Sequence, residues 1–169
     1  MLLLTKKIDI KLPCEDRIHY FLKSIPDEEW EGWTITRKGN TANLNFDVTK
    51  TTNVGISVIK LKNVWEDLIK LEPNLKKFDP DLTKCWVTKM APGGGIFSHV
   101  DYKRDIAKLI PIGSNKGEIH YHLHWKWKPS YTYKYTGPTL TRTNLPHSVK
   151  NETGADRYVI QIADKIPYV

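Results

Sequence analysis

At 169 residues, with 40% hydrophobic and 27% charged side chains, the chain has the size and balance of one globular domain with a single core. Its net charge of +7 favours acidic partners or substrates, yet Lys and Arg are scattered in runs no longer than two, which weighs against a nucleic-acid stripe. Residues 1–4 meet Lys6-Lys7 before a long apolar stretch can form, and Cys14 and Cys85 make no disulfide framework, so neither a signal peptide nor a membrane span is expected and a reducing cytoplasm is.

Residues 2–12 alternate loosely up to Pro13, which suits an opening edge strand. Over residues 14–25, Ile18, Phe21, Leu22 and Ile25 follow helical spacing, and Pro26-Asp27 ends the helix. Trp30 and Trp33 read as core plugs rather than ligand binders. Residues 34–53 are polar, with a turn at Gly39-Asn40 and a strand around 44–48. A short β-branched strand is expected over 55–61. A second helix follows on the stripe Val64, Trp65, Leu68 and Leu71, limited by Pro73. The turn Phe78-Asp79-Pro80 leads into a strand over 84–90, and a Pro- and Gly-rich loop follows at Ala91-Pro92-Gly93-Gly94-Gly95.

The second half predicts a strand over 106–112, a polar turn at 113–117 and a strand over 118–128 carrying His120, His122 and His124. After Pro129-Ser130, the residues Tyr131, Tyr133 and Tyr135 alternate on a returning strand. Gly137-Pro138 turns the chain toward a strand over 140–149, and the loop 151–156 closes a hairpin onto the last strand, 157–163. Short strands at regular spacing with Gly and Pro turns indicate a β-sandwich or jelly roll, with the two N-terminal helices covering one sheet. No internal repeat or linker divides the chain, so 1–169 reads as one domain: 1–83 supports and 84–169 forms the jelly-roll half.

Chemistry concentrates in His99-Val100-Asp101. On an extended chain, residues two apart share a face, so His99 and Asp101 can aim an imidazole and a carboxylate at one point. His147, in Leu145-Pro146-His147-Ser148-Val149, offers a second imidazole, and Arg157 follows it by ten residues. Two histidines and one carboxylate on one face of an ion leave positions open for substrate and O2, the pattern of non-heme Fe(II) sites. The row His120, His122 and His124 is a rival. Its spacing of roughly 6 to 7 Å along one strand is too wide for three ligands on one ion. Neither cysteine has a His partner pattern, no Gly-x-Ser-x-Gly elbow occurs, and Gly93-Gly94-Gly95 lacks the Lys-Ser/Thr of a phosphate loop.

On Ala91-Pro92-Gly93 before His99, Leu109-Ile110-Pro111-Ile112 after it, and His147-Ser148-Val149-x-Asn151 followed by Arg157, residues 84–164 resemble the Fe(II)/2-oxoglutarate-dependent oxygenases. They are most similar to the aspartyl/asparaginyl β-hydroxylase-like branch, while Asp101 leans toward proline-hydroxylase-like relatives. The resemblance implies a double-stranded β-helix of jelly-roll or cupin type, with Fe(II) held by His99, Asp101 and His147. It implies 2-oxoglutarate chelating the metal through its C1 carboxylate and C2 keto oxygen, O2 as co-reactant, and release of succinate and CO2. The carboxylate ligand argues for hydroxylation of an amino-acid residue in a protein or peptide, or of a free amino acid. Arg157 would grip the distal carboxylate of the cosubstrate bidentately. Thr88 and Lys108 match the positions of two further cosubstrate contacts, although the relatives carry Arg at the second and His where this chain has Ile110. Trp86, His120, His122, Trp125, Trp127 and the Tyr row are candidates to line a substrate cleft, with core packing as the ordinary alternative. Two other readings stand beside this one: a cupin metalloprotein of other chemistry, and a non-enzymatic jelly-roll module that binds acidic ligands or nucleic acid.

Overall fold

The computed structural model describes residues 4–32, 53–101, 105–124 and 128–164. The expectations for Trp33, Gly39-Asn40, the strand at 44–48, Trp125 and Trp127 lie outside them. Among these residues, ten strands and two α-helices run in the order β1 (Thr5–Lys7), α1 (Glu15–Ser24), β2 (Glu31–Gly32), β3 (Asn53–Lys60), α2 (Leu61–Leu71), β4 (Cys85–His99), β5 (Ile106–Ile112), β6 (Glu118–Tyr121), β7 (Tyr131–Lys134), β8 (Thr139–Arg142), β9 (His147–Lys150) and β10 (Arg157–Asp164). All pair antiparallel in the order β1-β8-β5-β10-β4-β9-β6-β7, with β3 along β4 and β2 along β3. The result is a nearly closed, barrel-like jelly roll.

The helices form where the apolar spacing says they should. In α1, Ile18 and Leu22 are buried, with Glu15 and Asp16 in the first turn and Lys23 in the last, as the helix dipole favours. In α2, Leu61, Val64, Trp65 and Leu68 make one stripe, and Pro73 stops propagation by restricting the residue before it. Both stripes, with Trp30, Leu75 and Phe78, pack on the face of the sheet presented by Val87, Ile110, Ile112, Tyr158, Ile160 and Ile162. Each fully buried aliphatic side chain there contributes roughly 1.5 to 3 kcal/mol.

The organising strand is β4. Its first part pairs with β10 on one edge, Arg157 opposite Met90 and Ile162 opposite Cys85. Its last part pairs on that edge with β9, Gly95 opposite Lys150 and His99 opposite His147. On the other edge β3 accompanies it, jumping from Gly95 to Met90 across Gly55. The expected Pro- and Gly-rich loop is therefore a bulge inside a continuous strand, where β4 passes from pairing with β10 to pairing with β9. At Gly93 the backbone takes φ +75°, which glycine adopts without strain.

The expected hairpin between the last two strands does not form. Strands β9 and β10 are not paired with each other; they succeed one another along the same edge of β4. The loop between them matches the bulge, and Asn151 stitches the two together. Its N–H donates to Gly94 O at 2.8 Å, and its carbonyl accepts from Gly93 N at 2.9 Å. Its side-chain amide donates to Met90 O at 2.9 Å and Ala155 O at 2.8 Å.

The close approach at this crossing sets a first prediction. A Cβ at Gly95 would lie 2.6 Å from Val149 O and 3.3 Å from Lys150 Cα, both backbone atoms of β9. Gly95→Ala is expected to lower stability by about 1 to 3 kcal/mol, read from the urea unfolding midpoint. An unchanged midpoint would show that β9 yields freely.

Candidate metal centre

Three side chains of metal-ligand type meet where β4 and β9 run side by side. His99 and His147 are opposite one another in register, with ring centroids 4.3 Å apart, and are 3% and 5% exposed. Asp101, just past the end of β4, is held by its N–H to Thr143 O at 2.9 Å. Its Oδ1 lies 3.1 Å from His99 Nε2 and 3.8 Å from His147 Nε2. The three ligand atoms all lie within 4.8 Å of one another, and no other such group of His, Cys, Asp and Glu occurs among the described residues.

Both imidazoles are oriented by their own strands. His99 Nδ1–H donates to Phe97 O at 2.8 Å, and His147 Nδ1–H donates to Leu145 O at 2.7 Å. A carbonyl only accepts, so each Nδ1 carries a proton, which leaves Nε2, on the side of the carboxylate, as the atom through which each neutral imidazole can ligate. Three electron-pair donors thus converge, an arrangement that a cation relieves. Ligands about 2.0 to 2.2 Å from an octahedral ion stand about 3 Å apart; the His99–Asp101 pair, at 3.1 Å, already has that separation, and the remaining donors have to close toward it. Backbone-anchored Nδ1 groups are also how metal-binding histidines fix ring and tautomer. The donor set fits a divalent ion of the non-heme iron type.

Beside the triad lies a cavity of about 50 Å³. It is lined from β4 by Thr88, Met90 and Ile96, from β9 by Val149, and from β10 by Arg157, Val159 and Gln161. Thr88 and Ile96 would stand about 26 Å apart on a straight strand at roughly 3.3 Å per residue, so the bulge in β4 is what closes this space. Val149, in the cavity wall, stands two residues from His147 on the same face of β9.

Arg157 is 5% exposed, and its Nε has no hydrogen-bond partner. Its one hydrogen bond is a long one, Nη1 to Lys150 O at 3.5 Å, and it forms no ion pair with any described carboxylate. Burial lowers its pKa, against weaker opposing contributions from Tyr135 and Glu118. A buried guanidinium so thinly satisfied is suited to an anionic ligand. Gly117 makes room for it: a Cβ there would overlap the guanidinium, and the backbone sits at φ +72°.

Thr88 is buried, lines the same cavity and accepts a hydrogen bond from Gln161 Nε2 at 2.7 Å. Lys108 does not reach it. Leu109 and Pro111 line the cavity, so the alternation of β5 turns Lys108 to the opposite, helix-bearing face, where its Nζ donates to Phe78 O at 3.1 Å. Trp86 is likewise absent from the cavity and lines a separate groove with Val58, Lys60 and Leu82. The histidine row is broken up. His120, on β6, bonds Thr132 Oγ1 at 2.8 Å and lies 3.3 Å from Glu118, His122 bonds Ser148 Oγ at 2.8 Å beyond the strand end, and His124 is exposed. Tyr135, one of the Tyr row offered as cleft-lining candidates, lines the cavity, whereas Gln161 and Gly117 are the residues that the sequence reading missed. Only a strand parity that places Gln161 two steps from Val159 and four from Arg157 pointed to either of them.

Two buried phenols near the site predict a pH dependence. Burial pushes Tyr135 up to about 12, against a weaker opposing hydrogen bond to Thr141, and it raises Tyr121 also. Both therefore hold their protons more tightly folded than unfolded, where the phenol titrates near 10.0. Their contribution is intact below pH 10 and is lost as pH rises from 10 toward 12. The urea midpoint should be level from pH 8 to 9.5 and fall above 10, with phenolate absorbance lagging until unfolding; a full phenolate signal from the folded protein would contradict the burial.

No family model and no curated protein matches the chain in sequence. Solved structures do match its fold. An oxidoreductase of the 2OG-Fe(II) oxygenase family from Burkholderia pseudomallei aligns at TM-score 0.52 and 15% identity, over 88% of this chain and 76% of that one. A Pseudomonas putida prolyl-4-hydroxylase aligns at TM-score 0.53 and 10% identity, over 95% of this chain and 92% of that one. At these identities the likeness establishes a shared double-stranded β-helix fold.

Proposed function

We propose that this chain is an Fe(II)- and 2-oxoglutarate-dependent dioxygenase that hydroxylates an amino-acid side chain, in a protein or peptide or as a free amino acid. The observation that carries this reading is the convergence of two Nδ1-anchored histidines and one carboxylate beside a cavity that contains a buried, ion-pair-free arginine. His99, Asp101 and His147 would hold the metal; Arg157 would hold the distal carboxylate of the cosubstrate, with the Thr88 hydroxyl as a further contact. When bound, iron with 2-oxoglutarate and O2 supplies the oxidising power to insert one oxygen atom into a substrate C–H bond, the cosubstrate leaving as succinate and CO2.

The chain's own part is preorganisation. The Phe97 and Leu145 carbonyls keep both Nε2 atoms aimed at one point, so loading does not have to reorient the rings. Met90, Ile96, Leu109, Val149 and Val159 keep the cavity walls apolar, which strengthens the Arg157–carboxylate attraction by excluding water.

Anaerobic titration of the protein with Fe(II) and then 2-oxoglutarate tests the reading. A weak visible charge-transfer band on addition of the cosubstrate is the expected result. Metal binding without the band would favour a cupin of other chemistry, and no metal binding at all would leave a binding module.

A further inference from the structure

We infer that the groove between β1 and the 3-10 turn Pro73–Phe78 is a docking site for an acidic polypeptide. This open groove has a volume of about 400 Å³, and four ammonium groups, Lys6, Lys7, Lys77 and Lys108, line it with no carboxylate among them. Its apolar lining is Ile8, Ile10, Leu140 and the buried Phe78. Lys6, Lys7 and Lys77 are exposed and form no ion pair with any described residue. Lys108 is half-buried, its Nζ fixed on Phe78 O at 3.1 Å.

An edge strand often carries lysines to prevent pairing with other sheets, and β1 is the edge of this one. That accounts for Lys6 and Lys7. It does not account for Lys77, which reaches the same groove from a different turn. Like charges gathered from two elements repel one another, and a ligand of opposite charge removes the repulsion.

Several features favour polypeptide over nucleic acid. Single-stranded nucleic acids are held by aromatic platforms on which bases stack, whereas the aromatic side chain among the described lining residues, Phe78, is buried and the accessible apolar surface is Ile8, Ile10 and Leu140, suited to Leu- or Ile-like side chains. Among the described residues β1 pairs with β8 alone, so its outer edge offers backbone groups to an added strand. The groove lies on the helix-bearing side of β5, whereas Leu109 and Pro111 face the cavity from the other side. A bound segment there does not reach the metal centre. The groove is a docking site distinct from it, and it stands whether or not the hydroxylase reading does.

The test uses the full chain and a fluorescein-labelled twelve-residue peptide of alternating Glu and Leu, followed by anisotropy. The double variant Lys7→Glu/Lys77→Glu is expected to weaken binding by about tenfold or more, two exposed ion pairs each being worth up to about a tenfold factor once repulsion replaces attraction. Raising NaCl from about 50 to about 300 mM should weaken wild-type binding similarly, because it shortens the screening length to well under 10 Å. A matching Lys-Leu peptide should bind the variant better than the wild type. Both substitutions are at exposed positions, and Lys6→Glu/Lys77→Glu provides a second variant if the first has an altered melting temperature. Peptide affinity within twofold of wild type in both variants would overturn the proposal. So would a twelve-nucleotide oligo-dT that binds more tightly than the acidic peptide with the same sensitivity to the variants.

Discussion

His147→Ala is expected to abolish metal loading and, with it, 2-oxoglutarate turnover. The Nε2 of His147 is one of three donors that converge within 4.8 Å, and its ring is held by the Leu145 carbonyl. Partners that only orient a ligating histidine are typically worth about 10- to 100-fold in metal affinity, so removal of the ligand itself should exceed about a hundredfold. Asp101→Asn should also weaken binding strongly, because it keeps the shape of the side chain and removes the one negative charge in the set. Equilibrium dialysis against Fe(II) under argon measures both, with melting of the metal-free proteins as the folding control. Wild-type metal affinity in His147→Ala would dismantle the triad.

The second large effect belongs to Arg157, and it separates cosubstrate from metal. Arg157→Met should leave Fe(II) affinity within a fewfold of wild type and raise the 2-oxoglutarate Kd by about a hundredfold. That corresponds to about 3 kcal/mol for a bidentate pair of charge-assisted hydrogen bonds. The same substitution replaces a buried cation that lacks an acidic partner with an apolar chain of similar length, so the metal- and ligand-free melting temperature should hold or rise. A purely structural arginine would show the reverse, with lost stability and unchanged affinity. Gly117→Ala probes the same group from behind. The new Cβ overlaps the guanidinium and sits at a positive φ, so stability should fall by about 1 to 3 kcal/mol and cosubstrate affinity with it. A Gly117→Ala protein that binds 2-oxoglutarate as tightly as wild type would show that the guanidinium has room to move aside.

Much of this was legible in the chain because it is local. The stripes Ile18-Phe21-Leu22-Ile25 and Val64-Trp65-Leu68-Leu71 needed only helical periodicity; Ile18, Leu22, Ile25, Val64, Trp65 and Leu68 are buried where it put them, and Phe21 and Leu71 are half-buried. The strands over 106–112 and 157–163 needed only β-branched runs between turn residues, and they stand as β5 and β10. His99 and Asp101 needed only the two-residue repeat of an extended chain, since that repeat decides which side chains share a face.

What the chain did not disclose were the long-range pairings. A Pro- and Gly-rich segment reads as a loop, because sequence cannot say that both its edges will be hydrogen-bonded; β3, β9 and β10 hold it inside β4 instead. Ten residues between His147 and Arg157 suggested a hairpin, whereas β9 and β10 divide one edge of β4 between them. Lys108 matched a family position, but the parity of β5 against β10 turned it outward. Residue types and their period set the chemistry on offer and the face that bears it. The register between distant strands, fixed by burial of whole faces at once, decided which of those side chains meet around one cavity.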